Sequence, residues 1–127
     1  MLQLLSKVKI IDNSGVVKGK VIKILTSKNA KIGRLGNLIL ISSQKLIPKS
    51  GMVSGAIFKA LIVQAKLKAW NPLFKLKWDE NGVVLVKLAP KGDEYLPIGS
   101  RIKSPISVSL KNKQGFQKII SLAKAYV

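Results

Sequence analysis

Short strand-like runs, each bounded by turn residues, follow one another along the chain as far as Leu88. The clearest is Phe74-Lys75-Leu76-Lys77-Trp78, where apolar groups take one face and lysines the other. That period of two is the mark of a half-buried strand. Further strands are predicted at Val8 to Ile11, Lys20 to Leu25, Leu38 to Ser43, Ile57 to Gln64 and Val83 to Leu88. In the second, the doublets Val21-Ile22 and Ile24-Leu25 break the alternation. Either burial on both faces or a β-bulge produces such doublets. Asp12-Asn13-Ser14-Gly15 is a dense turn cluster, in which Asp and Asn side chains can bond the backbone and Gly15 can take positive φ. Thr26 to Gly36 reads as a loop, and Pro48, Gly51 and Gly55 punctuate the next connection. Asp79-Glu80-Asn81-Gly82 marks a hairpin turn, with a loop of either two or four residues. Strands at this spacing, without a long helical period, predict a small antiparallel barrel.

The last third has a different pattern. Gly92 to Gly99 is predicted to be loop. Ser104-Pro105 fits a helix N-cap and first turn, while Ile106, Val108 and Leu110 alternate as in a strand, so both readings stand at this point. Phe116, Ile119, Ile120 and Ala123 fall at i, i+3, i+4 and i+7, one apolar stripe of a helix. No internal repeat is visible.

Charge changes the picture. The 127 residues carry 23 Lys and Arg against 5 Asp and Glu, a net charge of +18, yet 47% are hydrophobic. Compositional disorder requires low hydrophobicity together with high charge, so this is one folded domain with a positive coat. Self-repulsion destabilises such a coat until a polyanion neutralises it. The basic residues are all lysine except Arg34 and Arg101, and no acid lies between Asp12 and Asp79. Lysine is a point charge suited to phosphate, whereas arginine is preferred for bidentate reading of bases. The balance favours recognition of nucleic-acid backbone and shape. An AT-rich genome accounts for Lys over Arg, but not for the shortage of acids.

Several chemistries are excluded or weak. Without Cys or His there are no disulfides, no thiolate metal sites and no imidazole base, and an enzyme is not expected. No cofactor is expected either. Asp79-Glu80 and Asp93-Glu94 are adjacent pairs in turn-like sequence, placed for solvent rather than for paired acid–base work. Trp70, Phe74 and Trp78 are possible stacking platforms for single-stranded bases. Phe74 and Trp78 share the apolar face of a strand and are expected in the core; Trp70, beside Asn71-Pro72, is open to RNA or a protein neighbour. No run approaches the ~20 apolar residues of a membrane-spanning helix. The C-terminal stripe carries only Lys118 and Lys124, too few for a basic amphipathic membrane anchor. Met1 to Ser6 is short, and a strand-like run and a turn follow at once, so no signal or transit peptide is expected within these residues. If the protein works in an organelle, it is expected to be made there, or its presequence is absent from this chain.

In order along the chain, the residues resemble one family. Asp12-Asn13-Ser14-Gly15, Val21-Ile22-Lys23-Ile24-Leu25, Ile47-Pro48-Lys49, Ala60-Leu61-Ile62-Val63 and Trp78-Asp79-Glu80-Asn81-Gly82-Val83-Val84-Leu85 are similar to successive elements of universal large-subunit ribosomal protein fourteen. Pro97-Ile98-Gly99-Ser100-Arg101-Ile102 and Lys118-Ile119-Ile120-Ser121-Leu122-Ala123 resemble its Gly-Thr-Arg-Ile and Lys-Ile-Ile-Ser-Leu-Ala elements. The resemblance implies a mainly β fold: a five-stranded antiparallel β-barrel with hairpin over residues 1–97, and a C-terminal loop region over 98–127 carrying two short α-helices. It resolves Pro105 to Leu110 toward helix.

The resemblance also implies a structural, non-enzymatic role in the large ribosomal subunit. Binding to large-subunit rRNA is expected through Lys7, Lys9, Asn13, Lys18, Lys20, Lys23, Lys45, Lys49, Lys66 and Lys68. An intersubunit face is expected at Ser100, Arg101, Lys118 and Ser121, contributing to a bridge with small-subunit rRNA. Large-subunit proteins three and nineteen are the implied neighbours, and the ribosome silencing factor a further partner. The chain departs from the family pattern at Ala56, Gln64, Ala65 and Ser109, with an extra residue around Lys113 to Gly115. Those departures and the Lys- and Ile-rich bias point to a mitochondrially encoded member, with plastid or bacterial cytoplasm as alternatives. The competing reading is a free single-stranded RNA- or DNA-binding small barrel that stacks bases on Trp70.

Overall fold

The computed structural model describes residues 2–25, 31–48, 51–65, 81–90, 94–106, 110, 115–123 and 125. Its elements are β1 (Leu2–Gln3), β2 (Lys7–Ile10), β3 (Val16–Ile24), β4 (Ile32–Gly33), β5 (Leu38–Leu46), β6 (Ile57–Gln64), β7 (Gly82–Leu88), β8 (Tyr95–Pro97) and α1 (Gln117–Ser121). The five longer strands predicted within these residues are all present, and β6 has the predicted bounds. The alternating run at 74–78 lies outside the described residues, as do Trp70 and the acids Asp79 and Glu80.

Strands pair in the order β2-β3-β5-β6-β7-β8, and an additional β2–β7 pairing closes the first five into a barrel. The closing pair is parallel, with Lys9 opposite Gly82 and Ile10 opposite Val83. This corrects the expectation of a wholly antiparallel barrel, and the reason is parity. Each of the four other junctions is antiparallel. Four reversals return the chain to its starting direction, so the fifth strand meets the first in parallel. The doublet Val21-Ile22 proves to be a bulge: the β3–β5 register slips between Val21 and Lys23, and Ile22 is exposed. Bulges of this kind add the local twist a small barrel needs.

The core has two parts. Val8, Ile10, Val21, Ile24, Ile39, Ile41, Ala60, Ile62, Val83 and Leu85 belong to one cluster, which includes the inward positions of all five barrel strands. A second cluster lies on the opposite faces of β6 and β7, where Leu61, Val63, Val84 and Val86 meet Ile102, Ile106, Leu110, Phe116, Ile119 and Ile120. These two strands are therefore buried on both faces, which is why their sequences are nearly continuous apolar runs. Tyr95 of β8 stacks on Phe116, ring centroids 5.0 Å apart.

Among the described residues α1 is the one helix, and its stripe is the predicted one, with Ile119 and Ile120 buried. The other expected helix, over Pro105 to Leu110, runs through residues 107–109, outside the described residues. Ile106, inside the expected span, lies in an isolated β-bridge rather than a helix and donates its backbone N–H to Ala125 O at 3.2 Å. Two short strands, β4 and β8, appear in stretches predicted as loops. β4 pairs with β1, and β8 pairs with β7. Two or three residues carry too little alternation to be seen in sequence.

Candidate nucleic-acid interface

The predicted lysines of β2, β3 and β5 sit on the outer wall of the barrel, because side chains alternate faces along these strands. In β2, Val8 and Ile10 point inward while Lys7 and Lys9 are exposed. In β3, Val21 is buried while Lys18 is exposed and Lys20 half-exposed. Register then brings the charges side by side: Lys7 faces Lys20, and Lys9 faces Lys18. Lys18 in turn faces Lys45 of β5. Neighbouring strands are ~4.8 Å apart and alternate residues ~6.8 Å apart along a strand. The result is a two-dimensional grid of ammonium groups over three adjacent strands.

Like charges directly opposite in a sheet are destabilising. Two ammonium groups about 7 Å apart in water repel by roughly 0.6 kcal/mol before screening. The sheet carries several such pairs, and no acid lies between Asp12 and Asp79 to interleave them. A polyanion lying across the grid removes that repulsion and releases its own counterions.

Lys23 joins the same wall by a different route. The bulge sends it outward next to Ile22, opposite Leu40 of β5. Leu40 also faces Lys59 of β6, so Lys23 and Lys59 flank one half-buried leucine. Sequence reading missed Lys59. The available signal was a lysine interrupting the otherwise apolar run from Ile57 to Val63. Lys49, Lys66 and Lys68 lie outside the described residues.

Asn13 belongs to a second constellation. The turn after β2 is held by Asp12, 3% exposed. Its Oδ1 accepts from Ser14 N at 3.1 Å and Ser14 Oγ at 2.6 Å, and its Oδ2 accepts from Leu85 N of β7 at 3.0 Å. Gly15 takes φ 108, the conformation foreseen for it. The exposed Asn13 side chain faces the segment carrying Ser100 and Arg101, both exposed. Asn13 Oδ1 accepts from Ser100 N at 2.7 Å and Arg101 N at 3.0 Å. Its Nδ2 donates to Ser100 Oγ at 2.8 Å.

Lys118 and Ser121 lie on α1, both exposed. Lys118 Nζ is 3.7 Å from Glu94 Oε2, and Ser121 Oγ donates to Lys118 O at 2.8 Å. No hydrogen bond or ion pair links these two to the Ser100-Arg101 pair among the described residues. What they share is an anchor, since Ile102 and Ile119 are buried in the same cluster.

Buried Gln64 donates from Nε2 to Pro105 O at 2.7 Å, tying β6 to the start of the C-terminal region. Among the described residues there is no group of three or more His, Cys, Asp or Glu placed to hold a metal ion, and no helix is long and apolar enough to cross a membrane. The arrangement offers charge and fixed geometry rather than bond-making chemistry. Compared with known families, residues 1–127 match the model described as ribosomal protein L14p/L23e.

Proposed function

Because the chain belongs to the ribosomal protein L14p/L23e family, we propose that its lysine grid binds large-subunit rRNA. The family is structural, and this chain is a ribosomal protein rather than an enzyme. The observation carrying the rRNA reading is the registered juxtaposition of Lys7 with Lys20, Lys9 with Lys18 and Lys18 with Lys45 on one outer wall. Lys23, Lys49, Lys66 and Lys68 complete the expected contacts, and Lys59 extends them across β6. The barrel holds these charges in fixed positions, so less conformational entropy is lost when RNA docks.

The proposal extends to a second face. Ser100, Arg101, Lys118 and Ser121 form the intersubunit surface and contribute to a bridge with small-subunit rRNA. Large-subunit proteins three and nineteen are the proposed neighbours, and the silencing factor docks on the same face. The departures from the family pattern at Gln64, Ala65 and Ala56, with the Lys-rich, Arg-poor composition, support a place in a mitochondrial ribosome.

The test is a sucrose gradient of native lysate in high salt, probed for this chain. Co-sedimentation with the large subunit through the salt wash is expected. A peak at the top of the gradient, free of rRNA, overturns the reading and favours a free single-strand-binding module.

A further inference from the structure

We propose that Asn13 is a positioning residue that presents Ser100 and Arg101 to a partner at the intersubunit face, not a contact to rRNA. This rests on the proposed function in one respect, the assignment of that face. The positioning itself is argued from hydrogen bonds.

The Asn13 amide is committed in three directions. Both acceptor sites of Oδ1 are taken, by Ser100 N at 2.7 Å and Arg101 N at 3.0 Å. One Nδ2 hydrogen goes to Ser100 Oγ at 2.8 Å. No acceptor capacity is left for a base, and the second Nδ2 hydrogen is the one donor left over. The backbone on both sides extends the same seam. Asn13 N donates to Arg101 O at 3.2 Å, and Lys103 N donates to Ile11 O at 2.7 Å. Asp12 bridges to Ile102 in antiparallel sense.

The approach is close enough to require glycine at 99. A Cβ there would lie 2.7 Å from Asn13 Oδ1 and 3.2 Å from Ser14 N. The turn is itself anchored in the barrel, because the buried Asp12 carboxylate takes Leu85 N. A chain of bonds thus runs from β7 through Asp12 to Asn13 and on to the backbone of Ser100 and Arg101. Exposed arginine on a free loop would sample many positions, and ordering it at the moment of binding costs affinity. Held by Asn13, it arrives with its backbone already fixed.

Substitution separates the two roles because they predict opposite orders. In Asn13→Asp, a carboxylate still accepts from Ser100 N and Arg101 N, and the Ser100 hydroxyl can rotate to donate to it. A positioning role is therefore restored by Asp and lost in Asn13→Ala. A contact to phosphate would be worse with Asp than with Ala, since like charges repel.

The experiment uses the full chain. Amide hydrogen exchange at Ser100 and Arg101 is measured in wild type, Asn13→Ala and Asn13→Asp. Each variant is also assembled into large subunits, and joining to small subunits is followed by light scattering alongside Arg101→Ala. The expected result is at least tenfold faster exchange at both amides in Asn13→Ala, with most protection regained in Asn13→Asp. Affinity for large-subunit rRNA should stay within twofold in both variants. Joining should fall in Asn13→Ala and Arg101→Ala to similar extents, with no further loss in the double variant. Unchanged exchange in Asn13→Ala overturns the positioning role. So does rRNA affinity that falls from wild type to Ala and again to Asp. Normal joining by Arg101→Ala overturns presentation to an intersubunit partner, while the exchange data show separately whether Asn13 holds the loop.

Discussion

Asp12 shows how much one buried side chain does in this fold. β2 leaves the edge of β7 after Ile10, and β8 arrives on that same edge at Val86. Leu85 lies between the two, and its N–H would face the gap without a partner. Asp12 Oδ2 fills that place at 3.0 Å, while Oδ1 organises the turn through Ser14. Hydrogen bonds to a charged group are worth about 1.5–3 kcal/mol, and an orphaned buried donor adds its own desolvation cost. Asp12→Ala is expected to destabilise the free chain by about 3 kcal/mol, read as a lower urea midpoint at unchanged slope. A drop below about 1 kcal/mol would mean that water or another group replaces the carboxylate. The turn was legible from Asp12-Asn13-Ser14-Gly15 as a string of residues. What those side chains reach was not, because Ser100 lies 87 positions away and Leu85 lies 73 away.

At the scale of elements, α1 is short and gets its stability from packing. A helix of this length is unstable alone in water, and α1 lacks a side-chain cap at Phe116. Ile119 is fully buried and Lys118 is exposed on the same turn. Ile119→Ala should therefore cost about 2–4 kcal/mol, through lost transfer energy and the cavity left behind. Lys118→Ala should cost about 0.5 kcal/mol or less, since its ion pair with Glu94 is solvent-screened. Equal effects in urea unfolding would contradict an α1 held by the second core cluster. That cluster was only half visible in sequence. The stripe Phe116, Ile119 and Ile120 announced a helix with an apolar face, whereas β6 and β7 were legible as strands but not as strands buried on both faces. Nothing local said that the two features cover each other. Periodicity reports which face is apolar, whereas the partner is chosen by the path of the chain. The parallel closure is similar: it follows from the number of strands, and no single strand encodes it.

For the whole molecule, the same charges oppose folding and drive assembly. Lys18 stands at the centre of this conflict, facing Lys9 on one side and Lys45 on the other. In the free chain, added salt screens these repulsions within a Debye length of ~10 Å at 0.1 M, so stability should rise with ionic strength. Binding to rRNA should respond in the opposite sense. If about eight phosphates are engaged, log K falls against log salt with a slope of roughly −6 to −7. Lys18→Gln then separates the two effects at one residue. It relieves two like-charge contacts, so the free chain should become more stable by a few tenths of a kcal/mol, roughly the scale of one cross-strand pair. It removes one phosphate contact, so the binding slope should become shallower by about 0.7–0.9. A folding defect cannot produce this combination, because it would lower stability and affinity together. A variant with unchanged slope would show that Lys18 lies outside the rRNA footprint, and would move the interface off the β2–β3–β5 wall.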